Sequence, residues 1–338
     1  MHIRDAIIAV TNRVDLTQDD AAAVMEQMMN GEASPAQIAA LLTALHFKTE
    51  TDAEIAGMAS VMRAKSVAVP HEGTVVDTCG TGGDHSNTFN ISTVAAFVAA
   101  GAGATVAKHG NRAMSSKCGS ADVLEGLGVK IELEADAVAR CLAQAGIGFM
   151  FAPKFHPAMR YAGPVRREIG IRTIFNVLGP LTNPARAEYQ VIGVASAPLA
   201  EKLANALSKM NTRRALVVHG SDGLDELSIS GPSLVFDVRG GAEPIRSVIE
   251  PEQLGLALAP REVLAGGTVA ENVAIARAIL AGQDSGPRRD IVLLNAAAAL
   301  VAAERAADLA EGIDQARKSL SSGRAIERLE RLVETSNR

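Results

Sequence analysis

The chain has 338 residues, of which 48% are hydrophobic, 21% charged and 3% aromatic, and it contains no tryptophan. These values are ordinary for a globular enzyme with one large domain or two unequal ones, and the scarcity of aromatic residues argues against an all-β sandwich. The net charge of −5 provides no overall field that would draw the chain to nucleic acid or to a membrane. Any anion site must therefore be local.

The three cysteines, Cys79, Cys118 and Cys141, are far apart in the sequence and form no CxxC pair. This spacing argues against a standard zinc knuckle and favours a reducing compartment. Residues 1–10 lack the apolar stretch of a signal peptide, and no uncharged apolar run of membrane-spanning length follows. We therefore expect a cytoplasmic protein.

Residues 1–68 are predicted to contain only helices. Three capping-box-like starts occur at Thr17, Ser34 and Thr51, and Gly31 suits the end of a helix. The helices are short, and Met28 and Met29 are predicted to remain exposed. Two interpretations are open for this segment: a helical subdomain packed on the rest of the chain, or one that also forms a dimer surface.

From residue 74 onwards, strands alternate with helices. Because most of the connections are long enough for a helix, a mostly parallel sheet is predicted. Arg-rich helical sequence interrupts the alternation at 160–178, irregular strands are expected within 220–250, and helices return from Thr268. The predicted strands are 75–77, 105–107, 147–151, 191–194 and 216–219.

Residues 80–84 read GTGGD directly after the first predicted strand. Glycines release the backbone from its usual φ limit, and a backbone without Cβ atoms can direct several N–H groups at an anion such as phosphate. Residues 90–93, NIST, then open a helix, where a Ser or Thr is expected to cap the first turn and could bind an anion. This loop is a candidate phosphate site.

A second polar loop is predicted after the second strand, where residues 108–112 read KHGNR and residues 115–117 read SSK. It carries the cations Lys108, Arg112 and Lys117. In open α/β sheets, ligands bind at the carboxyl ends of the strands. An amide-rich loop and a cationic loop together predict a site for a phosphorylated substrate.

These motifs resemble those of the anthranilate phosphoribosyltransferases. The resemblance continues through residues 160–184, through Asp225-Glu226-Leu227-Ser228 and into the Ala-rich helix near Asn295, so it covers nearly the whole chain. It implies transfer of a 5-phosphoribosyl group from phosphoribosyl pyrophosphate to the amine of anthranilate, with release of pyrophosphate, the second step of tryptophan synthesis from chorismate.

The resemblance also implies an α/β fold, with a small all-helical subdomain and a larger α/β domain that has a mostly parallel central sheet. Residues 1–68, joined by roughly 156–184, would form the helical subdomain. Residues 69–155 and 185–338 would form the domain that binds phosphoribosyl pyrophosphate. The ligands would lie in the cleft between them, and the N-terminal helices would form a homodimer.

For the donor, the resemblance implies contacts from both loops. Lys108 is the candidate for direct phosphate contact, whereas Arg112 and Lys117 could equally be solvated charges. A lone glycine-rich turn would be no more than a tight turn, but the motifs that follow it favour a ligand site. The implied donor-binding residues are Gly80, Gly83, Asp84, Thr88, Asn90, Ile91, Ser92, Thr93, Lys108, Ser116 and Ser120.

For the acceptor, the resemblance implies that Arg166 holds the anthranilate carboxylate, since a guanidinium can bind a carboxylate through two parallel hydrogen bonds. Arg160, Arg167 and Arg172 lie nearby in the sequence and could be structural ion-pair residues. The implied acceptor-binding residues are Gly80, His109, Asn111, His156, Arg166 and Gly179.

The departing pyrophosphate carries several negative charges, so Mg²⁺ is expected as the cofactor. By the resemblance, Asp225 and Glu226 hold one Mg²⁺, and Glu226 and Ser92 serve a second ion in each subunit. The alternative for Asp225 and Glu226 is a pair of exposed loop acids. No catalytic acid or base is expected, because the anthranilate amine is already neutral, so positioning and electrostatics should carry the reaction.

Three other functions are less favoured. A pyrimidine nucleoside phosphorylase would share the architecture but needs no Mg²⁺–pyrophosphate site. A non-catalytic relative that binds nucleic acid would be strongly basic and would have lost the GTGGD or acidic residues. A Ser-His-Asp hydrolase lacks its GxSxG motif. One departure from the family pattern is Cys118, where relatives often carry serine.

Overall fold

The computed structural model describes residues 1–113, 117–210 and 212–338. The helices are α1 (Ile3–Thr11), α2 (Gln18–Asn30), α3 (Pro35–Lys48), α4 (Asp52–Ala64), α5 (Ile91–Gly101), α6 (Ser120–Gly126), α7 (Ala135–Ala145), α8 (Ala152–Phe155), α9 (Met159–Ile169), α10 (Phe175–Leu178), α11 (Ala197–Ser208), α12 (Val269–Leu280), α13 (Pro287–Ala302), α14 (Leu309–Ser321) and α15 (Arg324–Ser336). The strands are β1 (Val76–Gly80), β2 (Val106–Gly110), β3 (Ile147–Phe151), β4 (Tyr189–Gly193), β5 (Arg214–Gly220), β6 (Ser233–Val238) and β7 (Ile245–Ile249).

Helices α2, α3 and α4 begin where local sequence signals predict, and α2 ends at Gly31 as predicted. The Thr17 hydroxyl accepts a hydrogen bond from the Asp20 amide at 3.1 Å, which caps α2. Ser34 and Thr51 each form a complete capping box, with Gln37 and Glu54. Because both partners of such a box lie within four residues, these starts can be predicted from sequence alone.

The prediction that Met28 and Met29 remain exposed is wrong. Both are buried in one hydrophobic core with α4 and α9, because these two helices pack against α2. The large apolar side chains that remain exposed in α1 and α3 are Ile8 and Phe47, with 62% and 73% of their surface accessible. Each of these two helices therefore presents a large apolar side chain at the surface.

The described strands form one seven-stranded sheet in the order β3-β2-β1-β4-β5-β6-β7. β1 to β5 pair in parallel, whereas β6 and β7 are antiparallel additions, so the predicted mostly parallel sheet is confirmed. The expectation of irregular strands within 220–250 is wrong, because β6 and β7 are regular and hydrogen-bonded along their length. From β1 the chain moves outward to β3 and then returns to β4, so the strand order reverses beside β1.

Helices cover both faces of the sheet. On one face, α5 and α13 pack together with α14 and α15 in the larger core, and residues 291–302 of α13 are all buried. On the other face, α11 packs on β5 and β6 and also contacts α4, so this second core continues into the helical body formed by α1 to α4, α9 and α10. In the part of the chain described, none of the helices has the length and apolar character needed to cross a membrane.

Candidate active site

A cavity of about 510 Å³ opens at the carboxyl ends of β1 and β2, beside the point where the strand order reverses. Ligands bind at this position in open α/β sheets. Ser116 lies outside the described residues. The other predicted donor-binding residues all line the cavity: Gly80, Gly83, Asp84, Thr88, Asn90, Ile91, Ser92, Thr93, Lys108 and Ser120.

The glycine loop lies directly over Asp225. The Gly82 amide donates a hydrogen bond to Asp225 Oδ2 at 2.8 Å, and a Cβ atom at Gly80 would overlap the same oxygen. Gly82 and Gly83 have φ angles of +63° and +76°, in the left-handed region that favours glycine. The motif therefore serves both the turn and the close approach of a carboxylate.

The sequence predicted that a serine or threonine caps helix α5, and this prediction is wrong. Its N-cap is Asn90, whose side chain makes no capping bond and donates instead to the Cys118 carbonyl at 3.1 Å. Glu226 accepts a hydrogen bond from the Ser92 amide at 3.1 Å. The prediction failed because Ser92 and Thr93 lie inside the first turn, so a carboxylate distant in sequence occupies the helix start.

Two buried oxygens near the same helix start have no hydrogen-bond partner among the described residues. They are Asn90 Oδ1 and Thr93 Oγ1, and both residues line the cavity. Buried polar atoms are normally hydrogen-bonded, and an unmade bond costs about 1–3 kcal/mol. A polar ligand or water at this position would satisfy them.

Asp225 and Glu226 are not exposed loop acids. Burial and the neighbouring Asp84 carboxylate raise the pKa of Asp225 to about 7. Burial and the charge of Asp225 raise the pKa of Glu226 to about 8. Two desolvated carboxyl groups of like charge are costly to ionise together, and a bound cation removes this cost. Their environment therefore fits a cation site.

The chemistry of these donors fits Mg²⁺. Carboxylate oxygens are hard ligands, and Mg²⁺ is usually held by one or two carboxylates together with substrate phosphates and water. Within the described residues, no cluster of three or more His, Cys, Asp or Glu side chains forms a complete metal site. The described residues thus offer a partial ligand set, in which Asp225 contacts the Gly82 amide and Glu226 contacts the Ser92 amide.

Asn295 of α13 forms hydrogen bonds to the backbone of the loop that carries these two acids. Asn295 Oδ1 accepts a hydrogen bond from the Leu227 amide, and its Nδ2 donates to the Leu227 carbonyl, both at 2.9 Å. A third bond joins Nδ2 to the Ile291 carbonyl within the helix at 2.9 Å. The acidic loop is therefore fixed to a helix whose residues 291–302 are all buried.

Lys108 lies within strand β2 rather than in a loop, and only 2% of its surface is exposed. Its ammonium group donates to the Thr78 carbonyl and, at 3.3 Å, to Ser92 Oγ. A buried ammonium at the edge of the cavity provides positive charge in a desolvated setting.

The β2 strand is held by two residues that sequence reasoning missed. Asp77 Oδ1 accepts a hydrogen bond from the His109 amide at 3.1 Å, and Asp77 Oδ2 accepts one from Asn183 Nδ2 at 2.7 Å. Burial raises the pKa of Asp77, and the nearby Lys108 opposes that rise. The sequence did contain a signal for Asp77, because a charged residue next to the apolar Val75 and Val76 indicates a buried group with specific partners.

Arg112 differs from Lys108, although both belong to the KHGNR motif. Its guanidinium forms ion pairs with Asp122 at 3.0 Å and with Glu125 at 2.8 Å. Asp122 also accepts hydrogen bonds from the Ala113 and Gly119 amides, each at 2.9 Å. Arg112 is therefore engaged with protein carboxylates, and Asp122 joins the two ends of the second loop.

On the acceptor side, His109 contacts two of the other predicted residues, Gly179 and His156. His109 Nδ1 lies 3.2 Å from the Gly179 carbonyl, and its Nε2 lies 3.3 Å from His156 Nε2. Since a carbonyl only accepts, Nδ1 of His109 carries its proton and His156 donates to Nε2. Burial lowers the pKa of His109 to about 3 and that of His156 to about 4, so both rings are neutral at pH 7.

The predicted acceptor residues differ in their access to the cavity. Gly80, His109 and Asn111 line it, whereas His156 and Gly179 lie behind His109 and Arg166 does not line it. The Arg166 guanidinium lies 5.0 Å from the centre of the Phe175 ring, and burial lowers its pKa.

Two further residues of the same segment line the cavity without having been predicted to do so: Arg172 and Asn176. Arg172 Nη2 donates to the Gly82 carbonyl at 3.3 Å. Arg172 follows Gly170, which ends α9 in the left-handed conformation. That glycine was the available signal that the chain turns here.

Comparison with known proteins identifies relatives along the whole chain. Residues 4–66 match the glycosyl transferase family, helical bundle domain, and residues 72–326 match the glycosyl transferase family, a/b domain. The anthranilate phosphoribosyltransferase of Herpetosiphon aurantiacus is 80% identical over 100% of both chains, and that of Chloroflexus aggregans is 71% identical over 99% of each.

Solved structures agree with these relatives. The anthranilate phosphoribosyltransferase of Thermus thermophilus has a TM-score of 0.93 at 44% identity, covering 99% of this chain and 100% of that one. The Saccharomyces cerevisiae enzyme in complex with PRPP and Mg has a TM-score of 0.88 at 28% identity, covering 98% of each chain.

Proposed function

Because the chain belongs to the anthranilate phosphoribosyltransferase family, we propose that its cavity binds phosphoribosyl pyrophosphate and anthranilate with the residues described above. The reaction is a pentosyl transfer supported by Mg²⁺, in which the 5-phosphoribosyl group passes to the anthranilate amine and pyrophosphate leaves. It belongs to tryptophan biosynthesis.

The observation that carries the residue assignment is the position of Asp225 and Glu226. One acid accepts a hydrogen bond from the glycine loop and the other from the start of α5. A charged donor that fills the cavity would meet these two acids, the amide-rich loop and Lys108 together. Mg²⁺ held there would supply positive charge to the departing pyrophosphate.

The chain's own groups supply the rest of the donor site. The glycine loop presents backbone to the cavity, and Asn90 Oδ1 and Thr93 Oγ1 offer unpaired acceptors for ribose hydroxyl groups. Lys108 brings a buried positive charge near Ser92, which would stabilise negative charge as the pyrophosphate departs. We assign donor binding to these residues, together with Gly80, Gly83, Asp84, Thr88 and Ser120.

The acceptor needs orientation rather than a strong base, since its aromatic amine is neutral at pH 7. The neutral His109–His156 pair and Asn111 would orient the ring, and Arg166 would hold the carboxylate through its guanidinium. In the described structure Arg166 stacks on Phe175 outside the cavity. Its assignment therefore requires the guanidinium to turn toward the acceptor when that ligand binds.

We also propose two Mg²⁺ ions per subunit, held by Asp225, Glu226 and Ser92, and a cytoplasmic location. The proposed domain division is 1–68 with roughly 156–184 against 69–155 with 185–338.

A homodimer through the N-terminal helices is supported by exposed Ile8 and Phe47, which would be buried in such a contact. Sedimentation of the wild type and of Phe47→Glu tests it: the wild type should sediment at twice the chain mass and the variant at the chain mass. A monomeric wild type would contradict the dimer.

The function is tested by the loss of anthranilate fluorescence over time, with purified protein, phosphoribosyl pyrophosphate and Mg²⁺. We expect a decay that requires the donor and stops when EDTA is added. Folded protein that leaves the fluorescence unchanged under these conditions would overturn the acceptor assignment. A decay of the same rate in EDTA would overturn the role of the metal.

A further inference from the structure

Arg172 lies at the junction of the helical body and the glycine loop. It follows α9, which packs with α2 and α3, and its guanidinium reaches across to the Gly82 carbonyl at 3.3 Å. It is the residue of this segment that brings a cationic side chain to the cavity lining, because Arg160, Arg166 and Arg167 do not line it.

The guanidinium of Arg172 has unused hydrogen-bonding capacity. An arginine carries five N–H donors. Within residues 1–113, 117–210 and 212–338, the Arg172 side chain makes a single hydrogen bond, to the Gly82 carbonyl. No ion pair joins it to a described carboxylate. A fixed positive charge with open donors, facing a polar cavity, is suited to an anionic ligand.

Gly83 makes room for this side chain. A Cβ atom at Gly83 would overlap Arg172 Nη1 and approach Arg172 Cζ. The guanidinium therefore packs directly on the loop backbone, where a residue with a side chain would exclude it. The same backbone is the part of the loop proposed to bind phosphate, so Arg172 and the loop converge on one position.

The other long cationic side chains of the cavity lining are already committed. Arg112 is paired with Asp122 and Glu125, and the Lys108 ammonium donates to Thr78 and Ser92. The lining also contains the carboxyl groups of Asp84, Asp225 and Glu226. A phosphorylated ligand that enters this acidic cavity needs a further cation. Among the described lining residues, Arg172 is the cation whose side chain keeps N–H groups available for a ligand.

We propose that Arg172 binds a phosphate group of the phosphoribosyl donor and thereby ties the segment after α9 to the glycine loop. This inference rests on the proposed function. The guanidinium donates to the Gly82 carbonyl, and it binds the phosphate oxygens of the donor through its parallel N–H groups. Because Arg166 lies on the same segment, donor binding by Arg172 also fixes the approach of the acceptor residue.

The test compares Arg172→Ala and Arg172→Lys with Arg167→Ala, an exposed arginine of the same segment that does not line the cavity. Steady-state kinetics should show that Arg172→Ala raises the KM for the donor by about tenfold or more, as expected for lost hydrogen bonds to a charged group. The KM for anthranilate at saturating donor should change less than the KM for the donor. Arg172→Lys should recover part of the loss, since lysine keeps the charge but not the planar fork, and Arg167→Ala should behave as wild type.

Titration calorimetry with inorganic pyrophosphate and Mg²⁺ gives a second readout that needs no turnover. If the wild type fails to turn over, the proposed function fails, but a pyrophosphate affinity that drops in Arg172→Ala still supports the phosphate contact. Unchanged pyrophosphate affinity and unchanged donor KM in a folded Arg172→Ala protein would overturn the proposal. So would an equal loss in Arg167→Ala. Should Arg172→Ala melt far below the wild type, Arg172→Gln replaces it in the same comparison.

Discussion

The two halves of the cavity differ in how they are assembled. On the donor side, the glycine loop, the start of α5 and the acidic loop are joined by hydrogen bonds such as Gly82–Asp225 and Ser92–Glu226. On the acceptor side, His109 and His156 form a buried pair, while Arg166 stacks on Phe175 outside the cavity. Under the proposed assignment, the donor half is therefore already assembled, whereas the acceptor half would be completed by Arg166 only after its side chain turns.

This difference follows from the charge of the two ligands. A pyrophosphate group needs several fixed donors and a metal, and backbone amides and buried acids provide these with little reorganisation. The acceptor offers one carboxylate, for which a single flexible guanidinium is sufficient. Each prediction below tests one half of the cavity against the other.

The largest effect is expected on the donor side, at Glu226. Glu226→Gln keeps an oxygen that can accept from the Ser92 amide but removes the charge, and we expect turnover to fall by about 10²–10³-fold, the scale for loss of one electrostatic contact in a transition state. Anthranilate fluorescence at increasing Mg²⁺ measures this, with thermal melting as a check on folding. Wild-type turnover in Glu226→Gln would remove Glu226 from the metal site.

A smaller effect is expected on the acceptor side, at Arg166. Arg166→Ala should raise the KM for anthranilate by about 10–100-fold, because a hydrogen bond to a charged group contributes roughly 1.5–3 kcal/mol. The KM for the donor should stay near the wild-type value. Arg160→Ala, which removes an exposed arginine stacked on Tyr161, is the matched control. Equal increases for both substrates would place Arg166 outside the acceptor half.

The histidine pair should make the stability of the acceptor side sensitive to pH. The pKa values of about 3 for His109 and about 4 for His156 lie below the ordinary 6.5. Between the lowered and the ordinary pKa of each histidine, the unfolded chain therefore binds more protons than the folded chain. Stability is then fully present above pH 6.5 and falls as the pH drops, by about 2 kcal/mol per histidine at pH 5.

Urea unfolding at pH 7 and pH 5 measures this dependence. His156→Asn should lose less stability than the wild type over this interval, by about 2 kcal/mol, because one titrating group is gone. His2→Asn, at the exposed N-terminus, should keep the wild-type dependence. If His156→Asn and the wild type respond equally to pH, the pair does not titrate as the geometry predicts.

The smallest effect is expected at Asp122, which joins the ends of the second loop. Asp122→Asn should disturb its bonds to the Ala113 and Gly119 amides and raise the KM for the donor about fivefold, the equivalent of about 1 kcal/mol. Glu125→Gln breaks the other ion pair of Arg112 and leaves those backbone bonds intact. Since exposed ion pairs contribute little, Glu125→Gln should be near wild type. An equal effect in both variants would assign the loss to the ion pair.

The features that local sequence encodes were predicted well. The capping boxes at Ser34 and Thr51 need partners only three residues away, and β3 is a continuous buried apolar run bounded by Gly146. The strand β2 was predicted too short, because Lys108 and His109 are polar. Lys108 is paired with Thr78 and the His109 amide with Asp77, both residues of β1, and these contacts arise only when strands distant in sequence pair.

The candidate site divides in the same way. Gly80 ends its strand and Ser92 lies in the first turn of its helix, so their place at the sheet edge could be inferred from the order of elements. The roles of Arg166 and Arg172 could not be separated by sequence, since both are arginines of one segment. Stacking on Phe175 turns one away from the cavity, and Gly83 makes room for the other.

The hydrogen bonds between Asn295 and both backbone groups of Leu227 have a consequence for protein engineering. Helix α13 is alanine-rich and fully buried from 291 to 302, so a larger side chain introduced there must displace its neighbours. Any larger residue that displaces this helix also displaces the loop with Asp225 and Glu226. A library that randomises α13 for heat resistance should therefore be screened for activity at the same time. Both the stability of the core and the position of the acidic loop depend on this helix.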